Sequence, residues 1–516
     1  MRRSLITENF LLFCMTLLVT SCIQHPSHED EVKNGEGEKI ARQYCNSCHV
    51  FPQPELLIKS SWKDYVLPRM GYMLGIYETS NERKALIESG KGGALVENRN
   101  IFPETPKIEK SDWERIKQYY LENAPLQIEN QREREIETGL PIFETKIPDF
   151  KLSPPGTTLV KILKEGGYVI GDAHTKKIYQ FSADGKLEKM ANVKEGAVNL
   201  IERDNDLLIT VMGSFSPTDN PSGFLMKLPL SPTERPKKII DHLQRPVHAI
   251  DTDLNNDGIM DLVICEYAKW TGGLYWWKGM PNGSFERHPL LEQAGSIKSE
   301  IIDFNRDGLL DVIVLFGQGN EGISVFINQG NDTFKENKLI GFPPTYGSSY
   351  FELIDFDQDG DKDILYTCGD NADYKPQLKA YHGIYLFENK GDFKLEQKFF
   401  FQLNGAYKVA LKDFDQDGDL DLAAISFFPD FENQQEESFI YAENSGNFQF
   451  AEKSFSEVKS GRWMVMDTGD IDQDGDLDII LGSLAFEVIP KGNYVDTWVK
   501  NGIPFIILEN KLKSVQ

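Results

Sequence analysis

The segment Asp253-Leu254-Asn255-Asn256-Asp257-Gly258-Ile259-Met260-Asp261 recurs in five versions along the chain and decides the fold. The versions begin at Asp253, Asp303, Asp355, Asp413 and Asp470, so successive copies are 50, 52, 58 and 57 residues apart. Each repeat holds about four short strand-like runs that are separated by Gly, Asn and Asp. Four strands in a repeat of this length form one blade of a β-propeller. Residues 155–245 hold two further sets of four runs without the acidic loop, so the sequence predicts seven blades.

The repeated loop reads Asp-x-Asp/Asn-x-Asp-Gly-x-x-Asp, in which alternate oxygens can surround a hard cation and the glycine permits a sharp turn. The five loops hold 21 of the 80 Asp and Glu residues of the chain, and without a cation these carboxylates would repel one another. Calcium is therefore predicted in up to five sites, with magnesium or manganese as alternatives. The predicted ligands are Asp253, Asn255, Asp257 and Asp261; Asp303, Asn305, Asp307 and Asp311; Asp355, Asp357, Asp359 and Asp363; Asp413, Asp415, Asp417 and Asp421; and Asp470, Asp472, Asp474 and Asp478.

EF-hands are excluded because the twelfth position of an EF-hand loop carries Glu. The twelfth residues here are Ile264, Val314, Tyr366, Ala424 and Leu481, and each of them lies in an apolar run that predicts a strand. The loops are therefore expected to join two strands of one blade.

A second motif, Cys45-Asn46-Ser47-Cys48-His49, lies in the helical part of the chain. Two cysteines at this spacing can form thioethers to the vinyl groups of one haem, and the adjacent His49 can bind the iron. A zinc half-site and a redox dithiol are the alternatives. Zinc would require a second ligand pair, and the sequence has no other Cys-x-x-Cys; a redox dithiol would require a βαβ context, which the pattern does not show. The motif predicts one covalent haem c.

The sixth iron ligand is predicted to be a methionine. Only Met70 and Met73 follow the motif before the last predicted helix, Ser111–Asn123, and Met70 is favoured. If both methionines only pack around the cofactor, the iron is five-coordinate or has a histidine as its second axial ligand.

The N-terminus is typical of an exported lipoprotein. Arg2 and Arg3 precede the apolar run Phe10–Val19, which is too short to cross a bilayer and ends in Thr20-Ser21-Cys22. Cys22 is the predicted lipidation site, and an ordinary signal peptide is the alternative. The formal net charge of −25 disfavours nucleic acid as a partner. The protein is thus expected outside the cytoplasm, anchored by lipid to a bacterial membrane, in the periplasm or at the cell surface.

Taken together, these motifs resemble a family of lipoproteins in which a class I-like cytochrome c is joined to the FG-GAP/VCBS repeats of integrin-α-like propellers. The cytochrome resemblance covers residues 36–125, with Phe102-Pro103 where that family often has Met-Pro, and the repeat resemblance covers residues 247–510. The expected fold is a small all-α domain followed by an all-β seven-bladed propeller. The expected parts are a signal peptide (1–22), a tether (23–36), a haem domain (37–125), a linker (126–140) and the propeller (141–516).

The resemblance implies haem binding, electron transfer and calcium binding, with no established substrate. The leading hypothesis is an electron-transfer lipoprotein whose propeller docks an unidentified redox partner. One alternative is a cell-surface adhesion propeller that binds glycan or protein and carries an accessory haem. The other is a haem-dependent dehydrogenase, although the sequence contains no catalytic motif. The histidines of the propeller, including His248, are scattered over different repeats and are interpreted as structural.

Overall fold

The computed structural model describes residues 28–128 and 134–512, apart from the single positions 232, 447, 487, 489 and 491. For residues 28–34 and residue 80 it describes the backbone alone. The predicted signal peptide, Cys22 and the first residues of the tether lie outside the described residues. Within the described residues, no helix is both long enough and apolar enough to span a bilayer.

The N-terminal part of the described chain is helical. Its helices are α1 (His28–Cys45), α2 (Lys59–Ser61), α3 (Leu67–Met73), α4 (Ser80–Leu86), α5 (Lys91–Asn98) and α6 (Lys110–Asn123), with a 3₁₀ turn at Pro54–Leu56 and a π-helical turn at Trp62–Val66. Helix α1 begins at His28, so most of the predicted tether continues the helix. Extending a helix beyond a packed nucleus costs little free energy per residue, and for that reason the polar composition did not prevent it.

Helices α1 and α6 cross closely and form the centre of a small core. A Cβ atom on Gly37 would lie 3.1 Å from the Arg115 carbonyl oxygen, so the crossing needs the missing side chain. Ala41, one turn later, is fully buried in the same core. The core also contains Trp62, Trp113 and Tyr120. Few of the helices are long, and their core is small beside that of the sheets.

Residue 134 onward forms β-structure. Two short strands come first, β1 (Glu137–Thr138) and β2 (Phe143–Lys146), and seven sheets follow, named blades I to VII. Blade I is β3 (Thr157–Ile162), β4 (Tyr168–Asp172), β5 (Lys177–Phe181) and β6 (Leu187–Asn192); blade II is β7 (Ala197–Glu202), β8 (Asp206–Val211), β9 (Gly223–Pro229) and β10 (Lys237–Leu243); blade III is β11 (Pro246–Thr252), β12 (Asp261–Glu266), β13 (Gly273–Gly279) and β14 (Phe285–Leu291); blade IV is β15 (Ser296–Ile302), β16 (Asp311–Phe316), β17 (Gly322–Asn328) and β18 (Phe334–Gly341).

The remaining blades follow the same order. Blade V is β19 (Ser348–Ile354), β20 (Asp363–Cys368), β21 (Gly383–Asn389) and β22 (Leu395–Gln402); blade VI is β23 (Ala406–Lys412), β24 (Asp421–Ser426), β25 (Phe439–Asn444) and β26 (Phe450–Ser454); blade VII contains β27 (Trp463–Gly469), β28 (Asp478–Ser483) and β29 (Phe505–Asn510). Helix α7 (Tyr494–Asn501) lies between β28 and β29 and was not predicted. The seven-bladed propeller predicted from the repeats is confirmed.

The blades explain the two sequence patterns of the strands. The second strand of blades II to VII is buried at every residue because both of its faces pack against neighbouring blades. Such strands are continuous apolar runs. The outermost strand β6 is exposed at nearly every position, and its sequence mixes the polar residues Glu188, Lys189 and Asn192 with exposed apolar ones.

The ring is closed by strand exchange. Strand β2 pairs antiparallel with β29 and supplies the fourth strand of blade VII. Strand β1 pairs in parallel with β26 of blade VI, within the segment predicted as a linker. Arg134, just before β1, forms ion pairs with Glu437 and Glu452. The charged linker therefore binds along the free edge of a blade, and this edge would otherwise leave backbone groups unpaired.

Replacing Phe143 tests the closure. This side chain is buried among Phe414 and Tyr441, with ring centroids 5.8 and 5.4 Å away. We expect Phe143→Ala to lower the free energy of unfolding by about 3–5 kcal/mol. The control Met190→Ala, on exposed strand β6, should change it by less than about 0.5 kcal/mol. Thermal or denaturant melting measures both; equal effects would mean that β2 does not hold the ring.

Candidate functional site

The connections between strands define two faces of the propeller. The acidic loops join the first and second strands of blades III to VII, for example β11 to β12. The connections between second and third strands, and those between blades, lie at the opposite ends of the antiparallel strands. We call this opposite side the upper face.

The helical region packs on the upper face. The Glu88 carboxylate accepts hydrogen bonds from Thr218 Oγ1 at 2.6 Å and from the Asp219 amide at 2.8 Å, both in blade II. Arg99 donates to the Gly272 carbonyl at 3.0 Å and pairs with Glu292 at 2.9 Å, both on the blade III side. These contacts fix one side of the helical region.

The other contacts lie over blades III and V. Phe102 is buried, and its ring packs edge-on against Trp270 at 5.3 Å. The residue that replaces the methionine of the Met-Pro pattern thus serves the joint between helices and propeller. On blade V, the Tyr381 hydroxyl donates to the Leu56 carbonyl at 3.1 Å, and Arg69 lies 3.3 Å from Asp373.

A cavity of about 1650 Å³ lies between the helical region and the propeller and continues into the central channel. Cys45, Cys48 and His49 line it, and so do Met70 and Met73. The structure therefore brings all the predicted haem-binding residues to one space. The same cavity is lined by residues of the innermost strands of all seven blades, among them Val160, Leu200, Val247, Ile297, Ser349, Tyr407 and Met466.

Local contacts hold the motif at the cavity. Cys45 is the last residue of α1, and the chain then turns back towards α6. Tyr120 of α6 donates a hydrogen bond to the Pro52 carbonyl at 2.9 Å, and its ring lies 4.3 Å from that of Trp62. The Trp62 indole in turn donates to the Pro54 carbonyl at 2.8 Å. The loop after His49 is thus fixed from two sides.

The protonation of the motif fits a metal-binding histidine. His49 Nδ1 lies 2.9 Å from the Val50 carbonyl, which can only accept, so Nδ1 is the donor and Nε2 carries the lone pair. A histidine ligand commonly donates its other N–H to a backbone carbonyl in this way. Burial lowers the pKa of His49, which favours the neutral ring.

The two alternative interpretations of the motif find less support. Burial raises the pKa of the Cys45 thiol to about 11, whereas a redox dithiol needs a thiol with a lowered pKa. Among the described residues, the groups of three or more metal-binding side chains with ligand atoms within 4.8 Å do not include Cys45, Cys48 or His49. A preformed zinc site is therefore not seen at this position.

Met70 and Met73 both lie in α3, and both line the cavity. Met70 is half-buried and packs against the core of the helical region. A Cβ atom on Gly71 would lie 3.2 Å from the Trp113 ring, so this glycine allows α3 to pack on α6. Both methionines reach the same space, so the choice between them stays a prediction.

The five acidic loops share one conformation. The fourth residue, which is Asn, Arg or Gln, has a φ between +59° and +66° in every copy, and the sixth residue, which is always Gly, has a φ between +83° and +100°. Glycine adopts such a conformation without strain. In the three all-aspartate loops, the carboxylates of the first, third and fifth residues lie within 4.8 Å of one another; these are Asp355, Asp357 and Asp359; Asp413, Asp415 and Asp417; and Asp470, Asp472 and Asp474.

In each of the two asparagine-containing loops, hydrogen bonds within the loop bring its side chains together. Asp253 accepts bonds from the Asp257 and Gly258 amides at 3.0 and 2.8 Å. Asn255 Nδ2 donates to Asp257 at 2.9 Å. The Asp303 loop repeats these contacts, with Asp303 accepting from the Asp307 and Gly308 amides and Asn305 donating to Asp307.

The ninth residue of each loop has a different environment. Asp261, Asp311, Asp363, Asp421 and Asp478 are buried, and in each the carboxylate accepts a backbone N–H bond from the third strand or the residue just after it. The other carboxylate oxygen of Asp311 accepts a hydrogen bond from the Phe304 amide at 2.9 Å. Burial raises the pKa of Asp421 and of Asp478 to about 6. These aspartates thus connect the loop to the blade, whether or not they also bind a cation.

One further set of buried charges lies in the cavity wall of blades IV and V. Glu321 accepts bonds from the Ser348 amide and hydroxyl at 3.0 and 2.7 Å, and burial raises its pKa to about 7. Burial lowers the pKa of Lys379 to about 8 and raises that of Asp370 to about 6. The sequence did not indicate these residues because they lie in the irregular connections between the second and third strands, which differ in length from blade to blade.

Comparison with known proteins supports the repeats. A family model described as FG-GAP-like repeat matches residues 253–314 and 303–366. No curated protein matches the chain. Among solved structures, virginiamycin B lyase from Staphylococcus aureus is 12% identical with a TM-score of 0.44 over 71% of this chain and 99% of that chain. Sqt1 from Saccharomyces cerevisiae is 11% identical with a TM-score of 0.40 over 68% and 83%. The chain carries FG-GAP-like repeats within a seven-bladed β-propeller.

The ninth aspartate can be tested without metal. In excess chelator, Asp311→Ala leaves two amides without an acceptor, and we expect it to lower the free energy of unfolding by about 2–4 kcal/mol. Asp303→Ala, in the same loop, frees amides that water can reach and should cost less than about 1 kcal/mol. Denaturant melting compares the two. Equal losses would show that the ninth position has no structural role of its own.

Proposed function

We propose that this protein is an exported, lipid-anchored electron-transfer protein that binds one haem c in the cavity above the propeller. The observation that carries the proposal is the arrangement of Cys45, Cys48 and His49 at one cavity, with His49 Nε2 free to bind iron. Cys45 and Cys48 would hold the haem by thioethers, and Met70 would be the second axial ligand. A bound haem would supply one-electron chemistry.

Residues of this chain would set the environment of that cofactor. Trp62, Trp113 and Ile116 give the cavity apolar walls. Apolar surroundings and a thioether ligand both affect the reduction potential of a haem. The hydrogen bond from His49 Nδ1 to Val50 would fix the orientation of the imidazole ring.

The contacts between the helical region and the propeller affect how electrons would pass from the haem to a partner. Glu88, Arg99 and Arg69 each bind the propeller directly. The haem domain would therefore be held on the upper face rather than swing on a flexible tether. In this proposal the propeller is the docking platform for a redox partner, and the contacts with the helical region would hold Cys45, Cys48 and His49 in a fixed position relative to it.

The acidic loops would bind calcium, up to five ions, on the lower face. The three clustered carboxylates of the Asp355, Asp413 and Asp470 loops support this proposal. The loops lie on the opposite side from the haem motif, so the ions would stabilise blades rather than take part in electron transfer. Cys22 would carry the lipid that holds the protein at the membrane.

A haem-dependent dehydrogenase is a second candidate, and the cavity favours it. The cavity has a volume of about 1650 Å³ and extends from His49 into the central channel, where part of the lining is polar. A small substrate could therefore reach the haem from the propeller side.

Substitutions of the two methionines test the haem site. We expect Met70→Ala to abolish the weak far-red absorption of a sulfur–iron bond in the oxidised protein and to lower the reduction potential, because a thioether ligand raises it. Met73→Ala is the matched control and should leave the band in place. Optical spectra and redox titration measure both. If neither substitution changes the spectrum, the iron has no methionine ligand.

Chelation tests the calcium proposal. Removing bound calcium should lower the melting temperature markedly, because an ion that binds only the folded loops adds its binding free energy to stability. Adding calcium back should restore it, and magnesium should restore less. Calorimetry with and without chelator provides the measurement, and an unchanged melting curve would rule out structural calcium.

A further inference from the structure

The central channel carries a ring of equivalent residues that the electron-transfer proposal does not use. In every blade the innermost strand has a β-bulge near its start, for example between Ala406 and Lys408 in blade VI. The residue after the bulge lines the cavity in all seven blades. In blades II to VI it is polar: Asn199, His248, Lys298, Tyr350 and Lys408.

Blades VII and I complete the ring with apolar residues, Val465 and Leu159. The ring is therefore polar over five adjacent blades and apolar over two. Structural packing alone would not require polar side chains at the same register position of five successive repeats.

The charges around the channel do not balance. Four cations near the ring each have a carboxylate partner: Lys161 with Asp467 at 3.1 Å, Arg203 with Asp251 at 2.8 Å, Lys298 with Glu300 at 2.5 Å and Lys412 with Glu352 at 3.1 Å. Lys408 differs from them. Its ammonium donates to the Met466 carbonyl at 2.7 Å, and no carboxylate oxygen among the described residues lies within 4.0 Å of it.

The surroundings of Lys408 compensate its charge only in part. Burial lowers the pKa of Lys408, and the carboxylates of Asp467 and Glu352, which lie beyond direct contact, raise it without outweighing burial and the nearby Lys298 and Lys161. The Tyr350 ring lies between Lys298 and Lys408, with their Nζ atoms 4.5 and 5.2 Å from its centroid. A buried cation without a carboxylate in direct contact is costly, and a bound anion would reduce that cost.

The neighbours of Lys408 on the ring offer donors. The Ser299 amide lies 3.4 Å from His248 Nδ1, and because an amide can only donate, Nδ1 accepts and Nε2 carries the proton. Burial lowers the pKa of His248 to about 3, so the ring is neutral. Asn199 uses its Oδ1 to accept bonds from Thr210 and Ala249, which leaves its amide N–H groups for a ligand.

The lining of the whole cavity also carries more positive than negative side chains. Its lining contains eight Lys and Arg residues and five Asp and Glu residues, whereas the whole chain has a net charge of −25. A positive cavity in an acidic protein attracts small anions from solution and disfavours cations.

We propose that the central channel binds a small oxyanion, a carboxylate or an inorganic oxyanion, on Lys408, with His248 and Asn199 as hydrogen-bond donors. The apolar side at Val465 and Leu159 would accommodate a short hydrocarbon group of an organic acid. The site is formed by propeller residues alone and does not depend on bound haem, so it goes beyond the electron-transfer proposal.

Titration calorimetry on the purified full chain tests the site, with acetate, butyrate and sodium phosphate as separate probes in dilute Tris buffer. We expect saturable binding of at least one probe. Lys408→Gln should weaken it about tenfold or more, since a charge-assisted hydrogen bond is lost. Tighter binding of butyrate than of acetate would identify an organic acid, and binding of phosphate alone would identify an inorganic oxyanion.

Lys189→Gln on exposed strand β6 removes the same charge far from the channel and should leave binding unchanged. His248→Ala provides a second variant in case Lys408→Gln does not fold, and it should also weaken binding. No saturable binding by any probe, or equal binding by the wild type and both channel variants, would overturn the proposal. A protein that lacks haem but binds the anion would count against the electron-transfer proposal alone.

Discussion

The pairing of β2 with β29 is the constraint on which the rest of the structure depends. Without β2, blade VII would consist of three strands and β29 would be left as an unpaired edge; the fourth strand comes from residues that precede the first blade. The pairing buries Phe143 in the shared core of blades VI and VII. It also ties the segment after the helical region to the ring through β1 and Arg134. The helical region is thereby restricted to the neighbourhood of the upper face, where Glu88 and Arg99 can bind it.

Within a blade, too, a single residue has more than one structural role. The ninth aspartate of each acidic loop links the loop to the third strand through backbone amides, so one residue both completes the loop and aligns the blade. Because the acidic loops lie on the face opposite to Cys45, Cys48 and His49, the proposed calcium sites and the proposed haem site are spatially separate. The channel between the two faces is lined by the innermost strands, and its polar ring is set by a bulge that recurs in all seven blades.

The repeats made most of the fold predictable, since four strand-like runs at a spacing of 50 to 58 residues are compatible with few arrangements other than the blades of a propeller. The start of α1, the docking of the linker on blade VI and helix α7 depend on tertiary contacts that local composition does not encode. His248 was interpreted as structural because histidines were considered by type; aligning them by position after the bulge would have grouped His248 with Lys298 and Lys408. The joint between helices and propeller, including Phe102 on Trp270, could not be inferred, because its residues have no shared pattern.

The helical region and the propeller meet at one cavity, and we propose that a haem is covalently attached there. The mass of the intact native protein, isolated from membranes of the organism that produces it, tests this claim most directly. The predicted result is the mass of the chain that begins at Cys22, increased by the lipid and by one haem. The mass of an unmodified chain that retains free Cys45 and Cys48 would contradict it.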